Sequence, residues 1–580
     1  MTFDNRLQRS GLRLLAWIVV AAIGAVYAWA ARHEMNPDGI AYLDIADAFA
    51  RGDWSVALNR LWSPLYPLLL AATLRVLRPL PSYEFATVRL LNFVIFLAAL
   101  ASFEFFLNEL ICYQRKFAAK ASSEGRLALP EWSLRMLGYT VFAYSSVEMT
   151  SVATVTPDMC VAVFVYLASG LLLRIHLRPE GTASFSLLGV VLGLGYLAKA
   201  PMFPLAFVFL ALGTSAVYAR VPWSGVLRRL LAALIPFVLI TSALVTAFFL
   251  TGRGLTLGAS GRLNYAWMVN GLPYVHWQGE FPGSGKPVHP TRMVFPSPPV
   301  YEFAAPVGGT YPPWDDPAYW YEGVKAHFDV RGHLRNLVRS AEVLLSMLLQ
   351  SQASLAVSGL LLLYLGRRRR LFLQDMLPYS ILLIPALAAV GMFSLIWLEL
   401  RFIGPFWTLF WLGFFASMTF VDFEEITRVI TGVAVAMLAM LILPNSYTSY
   451  KTLGVVLAQQ NHPLQLTVAQ GLQQLGVHPG GKVAVIGDSF GAYWARLSRV
   501  RIVAEIPACR WGGQTNRCAN GQPDNVSAFL QADQETRDRI LKVFEETGAK
   551  AVVMRNEDHP PLQGWRRIPD TDYDVYLLRM

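Results

Sequence analysis

Charged residues are scarce in this 580-residue chain, and that scarcity is the first guide to its class. Only 15% of the residues are Asp, Glu, Lys or Arg, whereas 54% are hydrophobic, and the mean hydropathy is +0.41. Ordinary soluble domains carry about 25% charged residues. The composition therefore excludes a typical soluble protein and indicates a polytopic membrane protein.

Cysteine is also rare, with four residues in the chain, which excludes a disulfide-rich scaffold. Cys112 and Cys160 lie in or near apolar spans and are interpreted as packing residues. Cys509 and Cys518 lie in the polar C-terminal region, where they can form a disulfide in an oxidising compartment. A metal pair is the alternative, but no His or further Cys stands nearby, so the disulfide is favoured.

The net charge of +10 does not predict a nucleic-acid partner. Basic residues cluster in short segments between apolar runs, as in Arg367–Arg370, and no aromatic residues are interleaved with them. Short basic loops are typical of the cytoplasmic side of a membrane protein. The charge is therefore a signal of topology.

Apolar runs long enough to cross a bilayer predict about eleven transmembrane helices. Arg6, Arg9 and Arg13 keep the N-terminus inside, and the first span lacks a small-residue cleavage site, so it is expected to be an uncleaved anchor. The predicted spans are 11–31, 86–111, 134–154, 158–176, 184–199, 201–218, 229–250, 340–366, 371–396, 402–420 and 428–445.

Leu65–Leu77 is excluded from these spans, because it is short and contains Arg75. If this run is an interfacial or re-entrant helix that does not cross the membrane, the number of crossings places the later basic loops on the inner side. The same parity places a set of polar features on one outer face: Asp38, Asp158, the 251–339 loop, Glu399, Arg401 and the C-terminal tail.

The expected architecture is a transmembrane domain over residues 1–445 and a periplasmic α/β domain over 446–580. The first outer loop is 32–85, and the long outer loop 251–339 is rich in Pro, Gly, Trp and Tyr. Strands alternate with helical patterns in the C-terminal region. They are predicted at Lys482–Ile486, Arg501–Ile506, Ala551–Met554 and Tyr573–Leu578, with a helix at Asp533–Thr547.

The stretch from Arg32 to Pro67 holds acidic residues directly after the first span, a costly place for ionisable groups. Its segment Asn36-Pro37-Asp38-Gly39-Ile40-Ala41-Tyr42 resembles the first outer loop of the C-type glycosyltransferase superfamily. The chain is similar in this respect to protein O-mannosyltransferases and lipid A aminoarabinose transferases. The resemblance covers about residues 11–420 and implies an enzyme that takes sugars from polyprenyl phosphates.

By this resemblance Asp38 is the catalytic base, and Tyr42 on the same segment contributes to substrate binding. A carboxylate can accept the proton of an acceptor hydroxyl in a partly desolvated site. The alternative is that Asp38 only caps the following helix. Weaker candidates are His33, Glu34, Asp44 and Asp47. Asp44 and Asp47, with Asp53, can simply be the solvent-exposed face of that helix.

Further motifs of the resemblance supply the donor site. Asp158 in Thr156-Pro157-Asp158 is the second acidic residue of the expected catalytic site, where it lines the donor cavity or helps to hold the acceptor; alternatively, it is only a favourable first-turn residue of a helix. Lys199, after Gly193-Leu194-Gly195, can meet a donor phosphate, or simply extend to the interface. Glu399 and Arg401 open a late span, where a guanidinium suits a leaving phosphate; a local ion pair is the alternative.

The aromatic residues of the 251–339 loop suit recognition of a sugar or a lipid headgroup, with His289 as a substrate-binding candidate. An aromatic belt at the membrane surface has the same composition. Gly487-Asp488-Ser489 follows a predicted strand, as in serine esterases, but no His and Asp partners follow at a convincing spacing, so that function is disfavoured.

The sequence thus predicts an inverting hexosyl- or pentosyltransferase of the bacterial inner membrane. Its partners are the lipid bilayer, a polyprenyl-phosphate sugar donor and a glycan, lipid or protein acceptor, without nucleic acid. No metal ligands are identified, although some members of the superfamily use a divalent metal. A lipid-linked glycan flippase or transporter and an O-antigen ligase-like protein remain alternatives.

Overall fold

The computed structural model describes residues 3–578 apart from residues 124, 219, 280–282, 304–306, 366–373, 422–427, 430, 437–438, 440–449, 452–453, 455–462, 509–523 and 558. The chain forms two compact units, and each unit is assembled from three separate segments. The first comprises Met1–Ala31, Arg89–Leu257 and Asp329–Val455, and the second comprises Arg32–Val88, Gly258–Phe328 and Val456–Met580. Helices and strands are numbered here along the whole chain.

The first unit is helical apart from a two-stranded antiparallel pair, β1 (Arg126–Ala128) with β4 (Thr419–Val421). A π-helical turn, Ser145–Met149, follows α6. The helices are α1 (Phe3–Ala30), α5 (Glu84–Ser123), α6 (Glu131–Tyr144), α7 (Asp158–Leu177), α8 (Ala183–Ala198), α9 (Met202–Tyr218), α10 (Trp223–Leu250), α14 (Val330–Gln350), α15 (Ala353–Leu365), α16 (Ser380–Ile396) and α17 (Leu400–Ala416).

Helices α8 and α10 approach each other closely because glycine faces the contact. A Cβ atom on Gly189 would stand 1.9 Å from the carbonyl oxygen of Ala233, and one on Gly193 would stand 2.9 Å from Ile240. Small residues at such contacts let backbones pack tightly, which is how helices associate within membranes. The glycine-rich approach to Lys199 is therefore used for helix packing.

Among the described residues, five helices are long and apolar enough to cross a membrane, or six if one bent pair counts as a single span. These agree with a multi-pass membrane protein, but the expected count of about eleven spans is not confirmed. Three predicted spans, 184–199, 201–218 and 402–420, correspond to α8, α9 and α17, which have at most 17 residues. At 1.5 Å per residue such helices fall short of a hydrocarbon core of about 30 Å.

The bent pair corrects the prediction of one uninterrupted span over 340–366. Helices α14 and α15 meet at an angle of 81°. Gln352 lies in the break, and its Oε1 accepts hydrogen bonds from the indole nitrogens of Trp407 at 2.7 Å and Trp411 at 2.8 Å. A polar side chain held in this way interrupts the helix at a defined point.

The second unit combines a sheet with short helices. Leu65–Leu77 is a helix of 13 residues, as expected; its interfacial position remains a prediction. The helices are α2 (Pro37–Arg51), α3 (Trp54–Ala57), α4 (Leu65–Leu77), α11 (Ser260–Met268), α12 (Pro312–Asp315), α13 (Pro317–Trp320), α18 (Leu464–Gln474), α19 (Tyr493–Leu497), α20 (Asn525–Gln531) and α21 (Gln534–Glu546).

The sheet has the strand order β2-β3-β6-β5-β7-β9-β8. Strand β5 runs parallel to β6 and β7, and the other neighbours are antiparallel. The strands are β2 (Arg292–Pro296), β3 (Pro299–Glu302), β5 (Lys482–Gly487), β6 (Arg501–Pro507), β7 (Ala551–Arg555), β8 (Arg566–Arg567) and β9 (Tyr573–Leu577).

The four strands and the helix predicted for residues 482–578 are thus present, and Asp533 caps α21 through the backbone N–H of Thr536 at 2.8 Å. Strands β2 and β3, however, come from the long 251–339 loop. Val300 of β3 packs into the same buried core as Ile486, Val552 and Phe544. The sheet is therefore completed by a segment almost 200 residues earlier in the chain.

Three sequence predictions fall outside the described residues. These are the pairing of Cys509 with Cys518, the basic run Arg367–Arg370 and the boundary between residues 445 and 446. Cys112 is exposed, and Cys160 is buried as expected of a packing residue.

Candidate functional site

Four of the predicted site residues lie close together in the first unit. Two of them, Asp158 and Lys199, are in direct contact. Asp158 is the first residue of α7, directly after Pro157, and its side chain is 2% exposed. Lys199 follows the last residue of α8 in an extended conformation. Its Nζ donates a hydrogen bond to Asp158 Oδ1 and lies 3.8 Å from the centre of the Phe402 ring, a cation–π contact.

Glu399 and Arg401 complete this group at the start of α17. Arg401 Nε donates to Glu399 Oε2 at 2.6 Å, and Trp397 Nε1 donates to Glu399 Oε1 at 2.8 Å. Arg401 Nη1 lies 3.9 Å from Asp158 Oδ2. Within the described part of the chain, Asp158 Oδ2 accepts no hydrogen bond. We call Asp158, Lys199, Glu399 and Arg401 the helix-end cluster.

Close packing fixes the position of α17 in this cluster. A Cβ atom on Gly404 would stand 2.5 Å from Thr150 Oγ1 and 3.0 Å from Ser145 Oγ. Only glycine lets α17 lie so near the π-helical turn. Arg401 precedes Gly404 by about one helical turn. The close contact at Gly404 therefore also fixes the position of the Arg401 backbone, from which the guanidinium extends.

The cluster balances its own charge, because two carboxylates face two cations. Burying charges is unfavourable unless they are paired, and here each cation has a carboxylate partner. Lys199 and Arg401 nevertheless remain 22% and 24% exposed. Two partly exposed cations held in fixed positions are suited to receive a phosphate group.

Asp38 and Tyr42 lie one turn apart on α2, in the second unit. Pro37 is the first residue of α2 and Asp38 is in its first turn, where a carboxylate is favourable to the helix dipole. The N-cap residue is Asn36, so Asp38 itself is not the cap. Asp38 is half-buried.

Tyr42 and His289 are both engaged with aromatic neighbours of the second unit. Tyr42 is buried, and its ring packs edge-on against Trp62 at 5.1 Å and Tyr66 at 5.2 Å. The His289 ring stacks on Tyr319 at 4.1 Å, and its Nε2 lies 3.3 Å from Glu322 Oε2. The roles of Tyr42 and His289 in substrate binding remain predictions.

A second charged cluster was missed by the sequence. Arg496 on α19 is 3% exposed and contacts three carboxylates, those of Asp44, Asp47 and Glu84. Its Nη1 lies 2.8 Å from Asp44 and 2.7 Å from Asp47, and its Nε and Nη2 lie 3.1 and 2.7 Å from Glu84. Arg499 adds a contact to Glu84 at 2.9 Å. We call these five residues the Arg496 cluster.

The Arg496 cluster corrects the interpretation of Asp44 as part of a wet helix face. Asp44 is only 8% exposed, and its carboxylate also accepts from the backbone N–H of Thr310 at 2.7 Å and from its hydroxyl at 2.9 Å. Burial acts to lower the pKa of Arg496, but the charges of Glu84, Asp47 and Asp44 outweigh it and hold that pKa above its usual range. Asp53 lies beyond α2 and caps α3.

The described residues contain no group of three or more His, Cys, Asp and Glu side chains placed to hold a metal ion. In the helix-end cluster both carboxylates are turned to cations. Ser489 Oγ makes no hydrogen bond within the described residues, so it lacks the adjacent base of a serine esterase.

No protein-family profile matches the chain, and no curated protein sequence matches it. Several solved structures, however, are similar to this chain. ArnT from Cupriavidus metallidurans in the apo state is similar with a TM-score of 0.45 and 14% identity, covering 97% of this chain and 98% of that one. The structure of the same ArnT bound to undecaprenyl phosphate is similar with a TM-score of 0.37 and 14% identity, and the match covers 97% of each chain.

A third similar structure is the oligosaccharyltransferase of Archaeoglobus fulgidus in complex with Zn and sulfate. Its TM-score is 0.42 and its identity 12%, and the match covers 93% of this chain and 68% of that one.

Proposed function

We propose that this protein is a membrane glycosyltransferase that moves a sugar from a polyprenyl-phosphate donor to an acceptor on the outer face of the cytoplasmic membrane. The observation that carries the proposal is the helix-end cluster, in which Lys199 and Arg401 are brought together by Asp158 and Glu399. The motifs around these residues, together with the Asp38 segment, resemble those of the C-type glycosyltransferases.

The proposed reaction inverts the anomeric centre. Asp38 takes the proton of the acceptor hydroxyl, whose oxygen forms a bond to the anomeric carbon of the donor sugar. The bond from that carbon to the phosphate oxygen breaks, and its electron pair stays on the departing polyprenyl phosphate. Lys199 and Arg401 stabilise this negative charge, while Asp158 and Glu399 keep the two cations in position. Preorganised charge of this kind is usually the largest catalytic contribution.

A binding measurement on the purified full-length protein tests the donor site. Undecaprenyl phosphate binding is measured by native mass spectrometry for the wild type, Arg401→Lys and Lys199→Gln. Both variants are expected to bind at least about tenfold more weakly, because a charged hydrogen bond contributes about 1.5–3 kcal/mol. Lysine does not rescue Arg401, since a point charge cannot reproduce a planar guanidinium.

Arg174→Lys is the matched control. Arg174 belongs to the same unit and pairs with Glu109 at 2.7 Å, away from the proposed site residues, so its replacement should leave donor binding unchanged. If Arg401→Lys and Lys199→Gln bind and turn over like the wild type, the donor site lies elsewhere.

The outer-face assignment is tested separately by cysteine labelling of intact cells. Single cysteines at the exposed positions 34, 293 and 535 should react with a membrane-impermeant reagent. This follows from the charge of the inner loops. Protection of the C-terminal segment until the membrane is broken would overturn this topology.

One observation favours a second candidate, a transporter of lipid-linked glycans. The 81° bend between α14 and α15 interrupts a span at the buried Gln352, and broken helices are typical of transporters. Proteoliposomes distinguish the two: a transporter moves a lipid-linked sugar across the bilayer without an acceptor, whereas a transferase consumes it only when an acceptor is present.

A further inference from the structure

The second unit contains a small cavity to which α2, the long loop and the C-terminal segment all contribute residues. Pro37 from the start of α2, Tyr311 and Trp314 from the long loop, and Ser489 and Phe490 from the turn after β5 all line it. All residues that line it belong to the second unit, whereas the four residues of the helix-end cluster belong to the first.

Three aromatic rings form one wall of this cavity. The Phe490 ring packs edge-on against Tyr311 at 5.2 Å and against Trp314 at 5.1 Å. The hydroxyl of Tyr311 is held by Glu505 at 2.7 Å, so this ring cannot rotate freely. These rings therefore give the cavity a rigid apolar wall.

Among the neutral polar side-chain atoms of the lining, two have no hydrogen-bond partner within the described residues. They are the hydroxyl oxygen of Ser489 and the indole nitrogen of Trp314, and the two residues are only 5% and 8% exposed. A buried polar group without a partner is unfavourable, and such groups call for an explanation. Here a bound hydroxyl group can satisfy both, since it donates and accepts.

Among the described residues, the lining supplies carboxylates and no cation, although Asp44 is itself paired with Arg496, which is not among the lining residues. Asp44 and Asp315 line the cavity. Burial raises the pKa of the nearby Tyr493, and the negative charges of Asp488 and Asp38 raise it further. A phosphate would meet these carboxylates, whereas a neutral hydroxyl would not.

The free space is about that of one water molecule. It is too small for a whole sugar ring, but it matches a single hydroxyl group that projects from one.

We propose that this cavity binds a hydroxyl group of a sugar and so fixes the orientation of a sugar ring beside α2. The inference rests on the proposed function, because Pro37 in the lining is adjacent to Asp38, the proposed base. Trp314 Nε1 donates to the sugar hydroxyl, which in turn donates to Ser489 Oγ.

Saturation-transfer NMR on the full-length protein in micelles tests this proposal. The probes are the methyl glycosides of glucose, galactose, mannose and xylose, with inorganic phosphate as the anionic probe. At least one glycoside should bind. Trp314→Phe and Ser489→Ala should each weaken that binding about 3- to 10-fold, the value of one hydrogen bond.

Trp277→Phe is the matched control, because Trp277 Nε1 is also buried without a partner in the described residues but does not line the cavity. Its replacement should leave glycoside binding unchanged. The proposal is overturned if no glycoside binds, if Trp314→Phe and Ser489→Ala bind like the wild type, or if phosphate binds in a way that these two variants weaken.

A competition experiment identifies the source of the sugar. Displacement of the glycoside by the polyprenyl-phosphate form of the same sugar assigns the cavity to the donor, and simultaneous binding assigns it to the acceptor; either result supports the proposal. Failure of the proposed function looks different. In that case Arg401→Lys leaves undecaprenyl phosphate binding unchanged, while the glycoside still binds in a manner sensitive to Trp314.

Discussion

The two charged clusters of this protein both pair cations with carboxylates but differ in how exposed their arginines are. Arg496 is 3% exposed and contacts three carboxylates at 2.7–3.1 Å. Arg401 is 24% exposed, has one carboxylate at 2.6 Å and a second only at 3.9 Å. An arginine as deeply buried as Arg496 holds structure together, whereas a partly exposed one can be reached from solvent.

The difference between Asp38 and Asp44 extends this comparison to a single helix. Both lie on α2, but Asp44 is buried and contacts Arg496 and Thr310, whereas Asp38 is half-buried and is not one of the five residues of the Arg496 cluster. The same substitution at the two positions should therefore produce opposite effects on activity and stability.

Asp38→Asn carries the largest expected effect. The substitution preserves size and hydrogen bonding but removes the proton acceptor, so sugar transfer should fall about 10²- to 10⁴-fold while the melting temperature stays unchanged. Asp44→Asn is the matched variant and should lower the melting temperature instead. Transfer and thermal unfolding are measured on both purified proteins. Near-normal turnover by Asp38→Asn would remove Asp38 from the chemistry.

Arg496→Met comes next and tests the structural side of the comparison. It leaves the carboxylates of Asp44 and Glu84 buried without their main cation, and breaking a buried ion pair costs about 3–5 kcal/mol. Thermal unfolding and limited proteolysis of the purified protein should show a strongly destabilised second unit. A melting curve like that of the wild type would mean that the Arg496 cluster contributes no net stability.

Arg499→Lys has the smallest expected effect and sharpens the comparison within one cluster. Arg499 is 34% exposed, and it contacts Glu84 at 2.9 Å and Asp47 at 3.5 Å. Ion pairs open to solvent contribute about 0–1 kcal/mol, so the melting temperature should hardly change. A loss as large as that of Arg496→Met would show that exposure does not separate the two arginines.

The helix-end cluster could be predicted from the sequence because its members stand at the ends of apolar runs. Asp158, Lys199, Glu399 and Arg401 each interrupt hydrophobic sequence at a recognisable boundary, where ionisable groups are rare. The sequence identified the four residues separately, and the fold brings them together. Their roles in donor binding stay predictions.

The Arg496 cluster could not be predicted in the same way, because its partners are far apart along the chain. Arg496 is 412 residues from Glu84 and 452 from Asp44, and local periodicity carries no information about such pairs. One signal was present, a lone arginine within the apolar segment Trp494-Ala495-Arg496-Leu497. A cation in such a segment indicates a buried carboxylate partner.

Strands β2 and β3 were missed for a different reason. Pro296, Pro298 and Pro299 lie in or between them, and proline argues against a central strand because it cannot donate a ladder hydrogen bond. The sheet tolerates them since β2 is an edge strand and Pro296 pairs with Pro299 at the hairpin end. By contrast, the continuous apolar pattern of β5 located that strand to within one residue.

The sheet of the second unit has a consequence for biosynthesis. Its outer hairpin, β2 and β3, leaves the ribosome well before β6, the strand on which β3 pairs through Tyr301 and Glu505. Until the last segment is synthesised, the hairpin exposes an unpaired edge, which is prone to wrong pairing. Pairing of this hairpin must therefore wait until β6 has been synthesised, and nascent chains stalled before residue 501 should keep the edge of β3 unpaired.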